Sequence, residues 1–296
     1  MRVFVTGATG WIGSAVVKDL LAAGHQVLGL ARSEERAKAL AATGASVQLG
    51  SLADLDRLSK CAAETDGVIH TAFNHDFSKL AENAEQERRA IETIGAALER
   101  SDRPFIVTSG VALLGPGRIT TEEEPSRPPI PSFPRSPEID AGKLAARGVH
   151  VAAIRLPPTV HGLGDHGFVP RLISFAREKG VSAYVGDGQN RWPAVHRFDA
   201  ARVFRLALEH GAKGGPFHAI AEEGVPFKQI AEVIGRRLNL PVVSLSPEEA
   251  DGHFGWFARF VGVDCPSSSE RTRASLGWQP EHPKLLADLD QPGYFA

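Results

Sequence analysis

Short apolar runs alternate with amphipathic stretches through the first half of the chain. The apolar runs have the length of strands, and we expect strands at Val3–Thr6, Gln26–Leu30, Ser46–Leu49, Gly67–Thr71, Pro104–Thr108 and His150–Arg155. The stretches between them repeat their apolar positions with a helical period, which predicts helices at Gly13–Ala23, Ser33–Thr43 and Lys79–Arg100. Strands separated by such helices are typical of βαβ units with right-handed crossovers. The pattern therefore predicts an α/β fold with a doubly wound parallel sheet.

A proline-rich segment interrupts this alternation between Gly115 and Pro137. Prolines stand at positions 116, 125, 128, 129, 131, 134 and 137. Since proline lacks the N–H that a helix interior or a central strand requires, neither can run through this segment. It is either a long loop over the carboxyl edge of the sheet, where open α/β folds bind ligands, or a disordered surface excursion.

The composition narrows the class of protein. A net charge of −2 and a pI of about 6.6 argue against a nucleic-acid partner. No apolar run reaches the roughly 18 residues that span a bilayer, and the N-terminus enters a strand without a signal-peptide pattern. Cys61 and Cys265 lack the spacing of a disulfide framework or a zinc site, so we expect ordinary thiols, no metal and no membrane partner. A cytoplasmic location is the simplest interpretation.

The strongest motif lies between the first strand and the first helix. It comprises Gly7, Ala8, Thr9, Gly10, Trp11, Ile12 and Gly13. In a strand–loop–helix context, such glycines allow the tight turn, the approach of a pyrophosphate to the backbone, and close packing of the helix on the strand. The helix N-terminus offers free N–H groups to the phosphates. We therefore expect a Rossmann-type dinucleotide site.

The GxxGxxG spacing of TGATGWIG resembles that of extended and atypical short-chain dehydrogenase/reductases of the NAD-dependent epimerase/dehydratase type. Later segments resemble the superfamily in the expected order: VIHTA at 68–72, VTSG at 107–110, RLPPTVHG at 155–162 and VHRFD at 195–199. The resemblance implies that three of these segments lie beside the cofactor. The cofactor contacts it implies are Thr71, Ala72, Phe73, Thr108, Leu156 and Pro157.

The end of the second strand predicts NADP rather than NAD. A carboxylate there accepts from the ribose 2′-hydroxyl of NAD, whereas this chain has Ala31 followed by Arg32 and Ser33. A guanidinium forms charge-assisted hydrogen bonds with a 2′-phosphate. Arg32 could instead be a solvated arginine at a strand end. Ser51 and Leu52 resemble the segment that flanks the adenine.

The Tyr-x-x-x-Lys pair that is usual in the superfamily is missing. The chain has only Tyr184 and Tyr294, and neither has a lysine four residues later. Counting back from the helix that ends near Ala145 places the expected pair at Ile130 and Pro134, which cannot transfer protons. The sequence therefore predicts a non-standard active site.

Three residues are candidates to replace the missing pair. Ser109 resembles the superfamily's catalytic serine and could hydrogen-bond a substrate oxygen. His75 and His161 lie near strand ends and could titrate near neutral pH. Each has an ordinary alternative: Ser109 as a turn residue, His75 as part of a surface loop, and His161 as a core histidine. Phe73, Phe77, Phe133, Phe168 and Trp192 are candidate pocket walls.

These observations predict an NADP(H)-dependent oxidoreductase acting on a small carbonyl or alcohol. The alternatives are a catalytically silent NADP(H) sensor and, third, a nucleotide-sugar epimerase or dehydratase. We expect residues 1–160 to form the NAD(P)-binding domain and residues 161–296 a smaller substrate-side lobe interleaved with it. We expect a monomer or a homodimer.

Overall fold

A seven-stranded parallel sheet organises the molecule, in the order β10-β6-β5-β4-β1-β2-β3. The computed structural model describes residues 1–112, 114–115, 117–131 and 133–296, and Phe77 by its backbone alone. The strands of this sheet are β1 (Arg2–Thr6), β2 (Gln26–Ala31), β3 (Ser46–Leu49), β4 (Gly67–His70), β5 (Phe105–Gly110), β6 (Val151–Leu156) and β10 (Phe217–His218). The Rossmann-type sheet predicted from the sequence is confirmed, and β5 runs two residues further than predicted.

Five further strands form two small sheets, one in the order β11-β9-β7 and one that pairs β12 with β8. These strands are β7 (Thr159–His161), β8 (Ser182–Val185), β9 (Arg191–His196), β11 (Glu222–Pro226) and β12 (Val242–Leu245).

Helices cover both faces of the main sheet. In chain order the α-helices are α1 (Trp11–Ala22), α2 (Glu34–Ala41), α3 (Leu55–Ala63), α4 (Leu80–Leu98), α5 (Pro137–Ala145), α6 (Phe168–Lys179), α7 (Arg197–Glu209), α8 (Phe227–Leu238), α9 (Pro247–Phe254), α10 (Ala258–Val261), α11 (Glu270–Leu276) and α12 (Leu285–Leu289). Short 3₁₀ turns occur at Phe77–Lys79, Gly255–Phe257 and Pro292–Tyr294. Ser33 caps α2, as predicted, and accepts a hydrogen bond from the Arg36 amide. Within the described residues, no helix is long and apolar enough to cross a membrane.

Two layers of buried side chains sandwich the main sheet, and a third core lies in the second half of the chain. Helices α1 and α7 pack on one face of the sheet, and α3, α4 and α5 on the other. The third core, centred on Trp192 and Phe257, joins α6, α8 and α9. Although α7 and β10 lie beyond residue 160, they belong to the main sheet and its covering layer. The division into two parts at residue 160 stays a prediction. Because α7 and β10 contribute to the main sheet region, the two predicted parts are interleaved.

The proline-rich loop is packed against the C-terminal segment. The Thr120 amide donates to the Pro266 carbonyl (3.0 Å), and the Ser268 amide donates to the Thr120 carbonyl (2.8 Å). The buried Glu122 carboxylate accepts from both the amide (2.7 Å) and the hydroxyl (2.6 Å) of Thr272 in α11. These bonds hold the loop over the end of β5, as the first of the two interpretations requires.

Candidate active site

The loop from Gly7 to Gly13 turns tightly between β1 and α1. Gly7 has a φ of +68°, which favours glycine, and the Gly10 amide donates to the Gly7 carbonyl (2.8 Å). A Cβ on Gly13 would lie 2.0 Å from the Gly7 carbonyl oxygen, so only glycine lets α1 pack this close to the turn. Sterics at these two positions thus explain the motif that the sequence shows.

The N-terminus of α1 suits an anionic group. Among the described residues, no side chain caps this helix, and its first turn carries no acidic residue. The first intrahelical bond runs from the Ser14 amide to the Gly10 carbonyl, which leaves the amides of residues 11–13 free of helical partners. Together with the positive end of the helix dipole, these amides fit a pyrophosphate.

Side chains within the loop face the core or neighbouring segments. Ala8 is buried in the core, and Ile12 packs against it. The indole of Trp11 donates to the Val160 carbonyl (2.7 Å) and lies beneath the Arg197 guanidinium, 3.8 Å from its ring centroid. Trp11 therefore connects the phosphate loop to the segment after β6.

Two exposed arginines flank the phosphate loop where β2 meets α2. Arg32 directly follows β2, and no described residue forms a hydrogen bond or ion pair with it. The Arg36 guanidinium lies 3.5 Å from the Thr9 hydroxyl, between Nη1 and Oγ1. Our sequence analysis missed Arg36. Its position four residues after Arg32, in the first turn of a helix capped by Ser33, was the available signal.

Ser51 and Leu52 follow β3 on the same side of the sheet. The Ser51 amide donates to the Asp54 carboxylate (2.6 Å), which holds this turn in shape. Leu52 is partly buried and packs on the core between the sheet and α3.

The carboxyl ends of three neighbouring strands are tied together by threonines. The Thr71 hydroxyl donates to the Thr6 carbonyl, and the Thr108 hydroxyl donates to the His70 carbonyl, both at 2.8 Å. Ala72 and Phe73 continue from β4 past this point. Leu156 and Pro157 are buried at the end of β6, the next strand of the sheet. The predicted cofactor contacts therefore share one edge of the sheet.

A cavity of about 380 Å³ opens beside the end of β5. The proline-rich loop forms one wall and the start of α5 another. Its apolar lining includes Ala112, Leu114, Pro128, Ile130, Phe133 and Val263. Its polar lining comprises Ser109, Ser126, Arg127, Arg135, Ser136 and Glu138. Of the predicted pocket walls, Phe133 lines this cavity, Phe168 and Trp192 pack in the third core, and the Phe77 side chain lies outside the described part.

Ser109 reaches this cavity, but its hydroxyl hydrogen is engaged. It donates to Glu138 Oε1 at 2.5 Å, and Arg155 donates to both oxygens of the same carboxylate from Nε and Nη2 at 2.7–3.1 Å. Behind this pair, His218 donates from Nδ1 to the Ser268 carbonyl, so its Nε2 accepts from Arg155 Nη1 (3.3 Å). A serine whose hydrogen is bonded to a carboxylate presents only lone pairs to a ligand.

Arg135 lies between the cavity and the end of β4. Its Nε and Nη2 donate to the buried Glu87 carboxylate at 2.8 and 2.7 Å, and Nη2 also donates to the Thr108 carbonyl at 2.9 Å. The guanidinium carbon lies 4.5 Å from the centroid of the Phe73 ring. Burial raises the pKa of Glu87, and Arg135 counteracts this rise. Our sequence analysis missed Arg135, which stands one residue after the position where a lysine was expected.

The two histidine candidates lie in different surroundings. His75 contacts the edge of the Phe73 ring, with centroids 5.3 Å apart, and part of its ring reaches solvent. Surrounding protein atoms, followed by the Arg135 charge, lower the pKa of His75. His161 is fully buried, and its Nδ1 lies 2.8 Å from the Asp288 carboxylate. Its position within a core network matches the ordinary alternative.

Neither tyrosine of the chain lies beside the cavity lining. Tyr294 donates to Asp288 at 2.5 Å and accepts from the Gly162 amide at 2.7 Å. Tyr184 lies in β8, beneath the Lys228 ammonium.

Comparison with known proteins agrees with this architecture. Residues 3–220 match the model of the NAD dependent epimerase/dehydratase family. An uncharacterized protein of Schizosaccharomyces pombe is 53% identical over 297 residues, with all of both chains covered. The decarboxylating sterol-4-alpha-carboxylate 3-dehydrogenase of Dictyostelium discoideum is 28% identical, over 77% of this chain and 74% of its own length.

A solved structure of similar fold is the dTDP-glucose 4,6-dehydratase of Bacillus anthracis in complex with NAD. It has a TM-score of 0.76 and 17% identity, with 98% of this chain and 94% of that chain covered. The family match covers the phosphate loop, the strand ends and both sides of the cavity. This chain belongs to the NAD dependent epimerase/dehydratase family, whose enzymes depend on a nicotinamide dinucleotide.

Proposed function

We propose that this protein is an NADP(H)-dependent oxidoreductase that interconverts a small carbonyl compound and the corresponding alcohol. The observation that carries this proposal is the cavity of about 380 Å³ at the carboxyl edge of the sheet, the same edge that carries a complete dinucleotide loop after β1. Ligands of open α/β sheets bind at this edge. We also expect a cytoplasmic location and a monomer or homodimer.

The phosphate loop and the strand ends would hold the cofactor. The free amides at the start of α1 suit the pyrophosphate, and the segments ending at Phe73, Thr108 and Pro157 suit the nicotinamide half. When bound, the nicotinamide supplies or accepts the hydride.

The preference for NADP(H) follows from the charges at the end of β2. Ala31 provides no carboxylate to accept from a ribose hydroxyl or to repel a phosphate. The Arg36 guanidinium lies beside Thr9, Arg32 adds an exposed guanidinium directly after β2, and Ser33 adds a hydroxyl. Guanidinium groups bind phosphate through charge-assisted hydrogen bonds, which supports a 2′-phosphate at this position.

The cavity supports an apolar substrate at a non-standard active site. Its lining has a majority of aliphatic, aromatic and proline side chains, which suits alkyl or aryl groups better than a sugar nucleotide. No tyrosine is among the described residues that line the cavity. In its place, Ser109 would accept a hydrogen bond from the alcohol form of the substrate. The missing Tyr–Lys pair also favours the sensor as the second candidate.

Cofactor titrations of the purified protein test the proposal. The Kd of NADPH should be well below that of NADH, and the double variant Arg32→Ala/Arg36→Ala should weaken NADPH binding by at least about tenfold while changing NADH binding little. Arg89→Ala, which removes an exposed arginine of α4, is the matched control and should leave both affinities unchanged. Equal affinities for the two cofactors in the unaltered protein would contradict the NADP assignment.

A panel of apolar aldehydes and ketones then separates enzyme from sensor. Oxidation of NADPH by any of them, followed at the absorbance of the reduced nicotinamide, supports the oxidoreductase. Tight NADPH binding without turnover across the panel would favour the sensor. Binding of neither cofactor would overturn the proposal.

A further inference from the structure

A reductase needs a group that stabilises the negative charge on the substrate oxygen, and tyrosine normally helps to do so in this superfamily. Ser109 does not fill this role here, because its hydrogen is donated to Glu138. We propose that Arg135 is the catalytic residue that stabilises the alkoxide, and this inference rests on the proposed oxidoreductase function.

Arg135 lies where the reacting oxygen must be bound. Its guanidinium contacts Phe73 after β4 and the Thr108 carbonyl at the end of β5, and it also lines the apolar cavity. It therefore joins the predicted cofactor edge to the predicted substrate pocket. Its side chain is 16% exposed, so solvent screens its charge only in part.

The guanidinium is held in one orientation and keeps donors in reserve. Glu87 and Thr108 receive hydrogen bonds from Nε and Nη2, and the Phe73 ring lies against its face. An arginine has five N–H donors, and Nη1 donates to no described residue. Held by Glu87 in this way, Nη1 is a preorganised donor pair for an anionic oxygen.

The positive charge of Arg135 reaches the surrounding groups. Burial is the main cause of the lowered pKa of His70 and of His75, which lie in β4 and the segment after it, and the Arg135 charge lowers both pKa values further. The same field would favour negative charge on a substrate oxygen at the end of these strands.

The reaction step balances with Arg135 as an electrostatic partner. Reduced nicotinamide, when bound, would supply the hydride to the carbonyl carbon. The π pair of the C=O bond would move to oxygen, and Arg135 would hydrogen-bond the resulting alkoxide. Arginine stays protonated throughout, so the proton that completes the alcohol comes from water, and the hydroxide left behind is neutralised by the buffer. In the reverse direction, the same contact favours ionisation of the alcohol.

The first test is steady-state kinetics of Arg135→Gln and Arg135→Lys with NADPH and a carbonyl substrate of the unaltered protein. Removal of one such donor costs about 10² to 10³ in kcat. We expect the kcat of Arg135→Gln to fall at least about 100-fold, while its Kd for NADPH stays within about threefold of that of the unaltered protein. Arg135→Lys keeps the charge and should recover part of the loss. An unchanged kcat in Arg135→Gln would overturn the proposal.

Loss of Arg135 leaves the buried Glu87 without its cation, so folding needs its own control. The double variant Glu87→Gln/Arg135→Gln removes both charges and lets the two amides hydrogen-bond each other. It should fold and show the same loss of kcat. A double variant that folds and retains normal kcat would overturn the proposal.

A binding measurement without cofactor or turnover separates this inference from the proposed function. Cyclohexanecarboxylate combines an apolar ring with an anionic oxygen, and its Kd is measurable by calorimetry. We expect Arg135→Gln to raise that Kd at least about tenfold, whereas Arg89→Gln, which removes an exposed arginine of α4 outside the cavity lining, should change it less than about threefold. If the carbonyl panel shows no turnover, this measurement still tests the anion site at Arg135. A raised Kd of cyclohexanecarboxylate for Arg135→Gln supports that site, and an unchanged Kd contradicts it.

Discussion

At Gly13 of the phosphate loop, the surrounding atoms leave no room for a side chain. Gly13 faces the Gly7 carbonyl oxygen, and a Cβ would also lie 2.7 Å from the Thr71 hydroxyl. Both the turn and the end of β4 would therefore have to move to admit an alanine. Because the amides that follow the turn are the proposed phosphate ligands, such a movement would reach the cofactor site.

We predict that Gly13→Ala weakens cofactor binding at least about tenfold and lowers the free energy of unfolding by about 1–3 kcal/mol, as overpacking does. Fluorescence titration and urea denaturation measure the two effects. The matched control is Gly142→Ala in α5, where an added Cβ meets no atom within 4 Å and alanine favours the helix. A Gly13→Ala protein with normal cofactor affinity would show that the turn tolerates displacement.

The proline-rich loop forms one wall of the cavity, and α11 holds this loop in place. Prolines prevent regular structure in the loop, so its shape depends on side chains that bond it to other segments. Glu122 is the main connection, since one buried carboxylate oxygen accepts two hydrogen bonds from Thr272.

We predict that Glu122→Ala destabilises the protein by about 2–3 kcal/mol, because two buried hydrogen bonds are lost and the amide and hydroxyl hydrogens of Thr272 are left without their acceptor. It should also expose the loop to limited proteolysis and raise the KM of the carbonyl substrate more than it lowers kcat. Glu123→Ala is the control, since that side chain is 80% exposed and its one ion pair with a described residue is a long one, to Arg271. Equal proteolysis of the two variants would contradict the role given to Glu122.

At the scale of the whole molecule, buried histidines couple folding to pH. Burial lowers the pKa of His70 to about 3, and that of His196 to about 4. His196 stacks on His282 with centroids 4.5 Å apart and contacts His161, and after burial these two neighbours also lower its pKa. Since the unfolded chain binds these protons near pH 6.5, stability is present above that pH and is lost as the pH falls towards 4.

We predict that the melting temperature falls between pH 6.5 and 4, and that His196→Asn reduces this fall. Asparagine can replace the cap that His196 Nδ1 provides to α7 but does not titrate. The shift of His196 corresponds to about 1–3 kcal/mol of lost stability at the acid end. Scanning calorimetry across this range is the measurement. Parallel pH profiles for the two proteins would show that His196 has the same pKa in the folded and unfolded chains.

The sequence by itself determined the alternation of strands and helices in the first half of the chain, the phosphate loop and the family. These features depend on periodicity and on sterics within a few residues, so they can be predicted from the sequence without a structure. The sequence analysis missed helix α3, because the helix is short and its apolar face comprises few residues. The end of β5 and the start of α1 differ from the predicted positions by two residues, because tertiary contacts extend both elements. Arg32 and Ser109 were found as motif residues.

Only the tertiary structure decided which groups meet. Ser109 bonds Glu138, which is 29 residues away, and Arg135 bonds Glu87, which is 48 residues away. No local pattern encodes such distances, because loops of that length fold back in ways that the whole sheet dictates. The proposed donor Arg135 therefore became visible only when the proline-rich loop was placed against β4 and β5. The sequence determines which chemical group a residue carries. Its hydrogen-bond partner, and therefore its protonation and orientation, depends on how the segments pack in the tertiary structure.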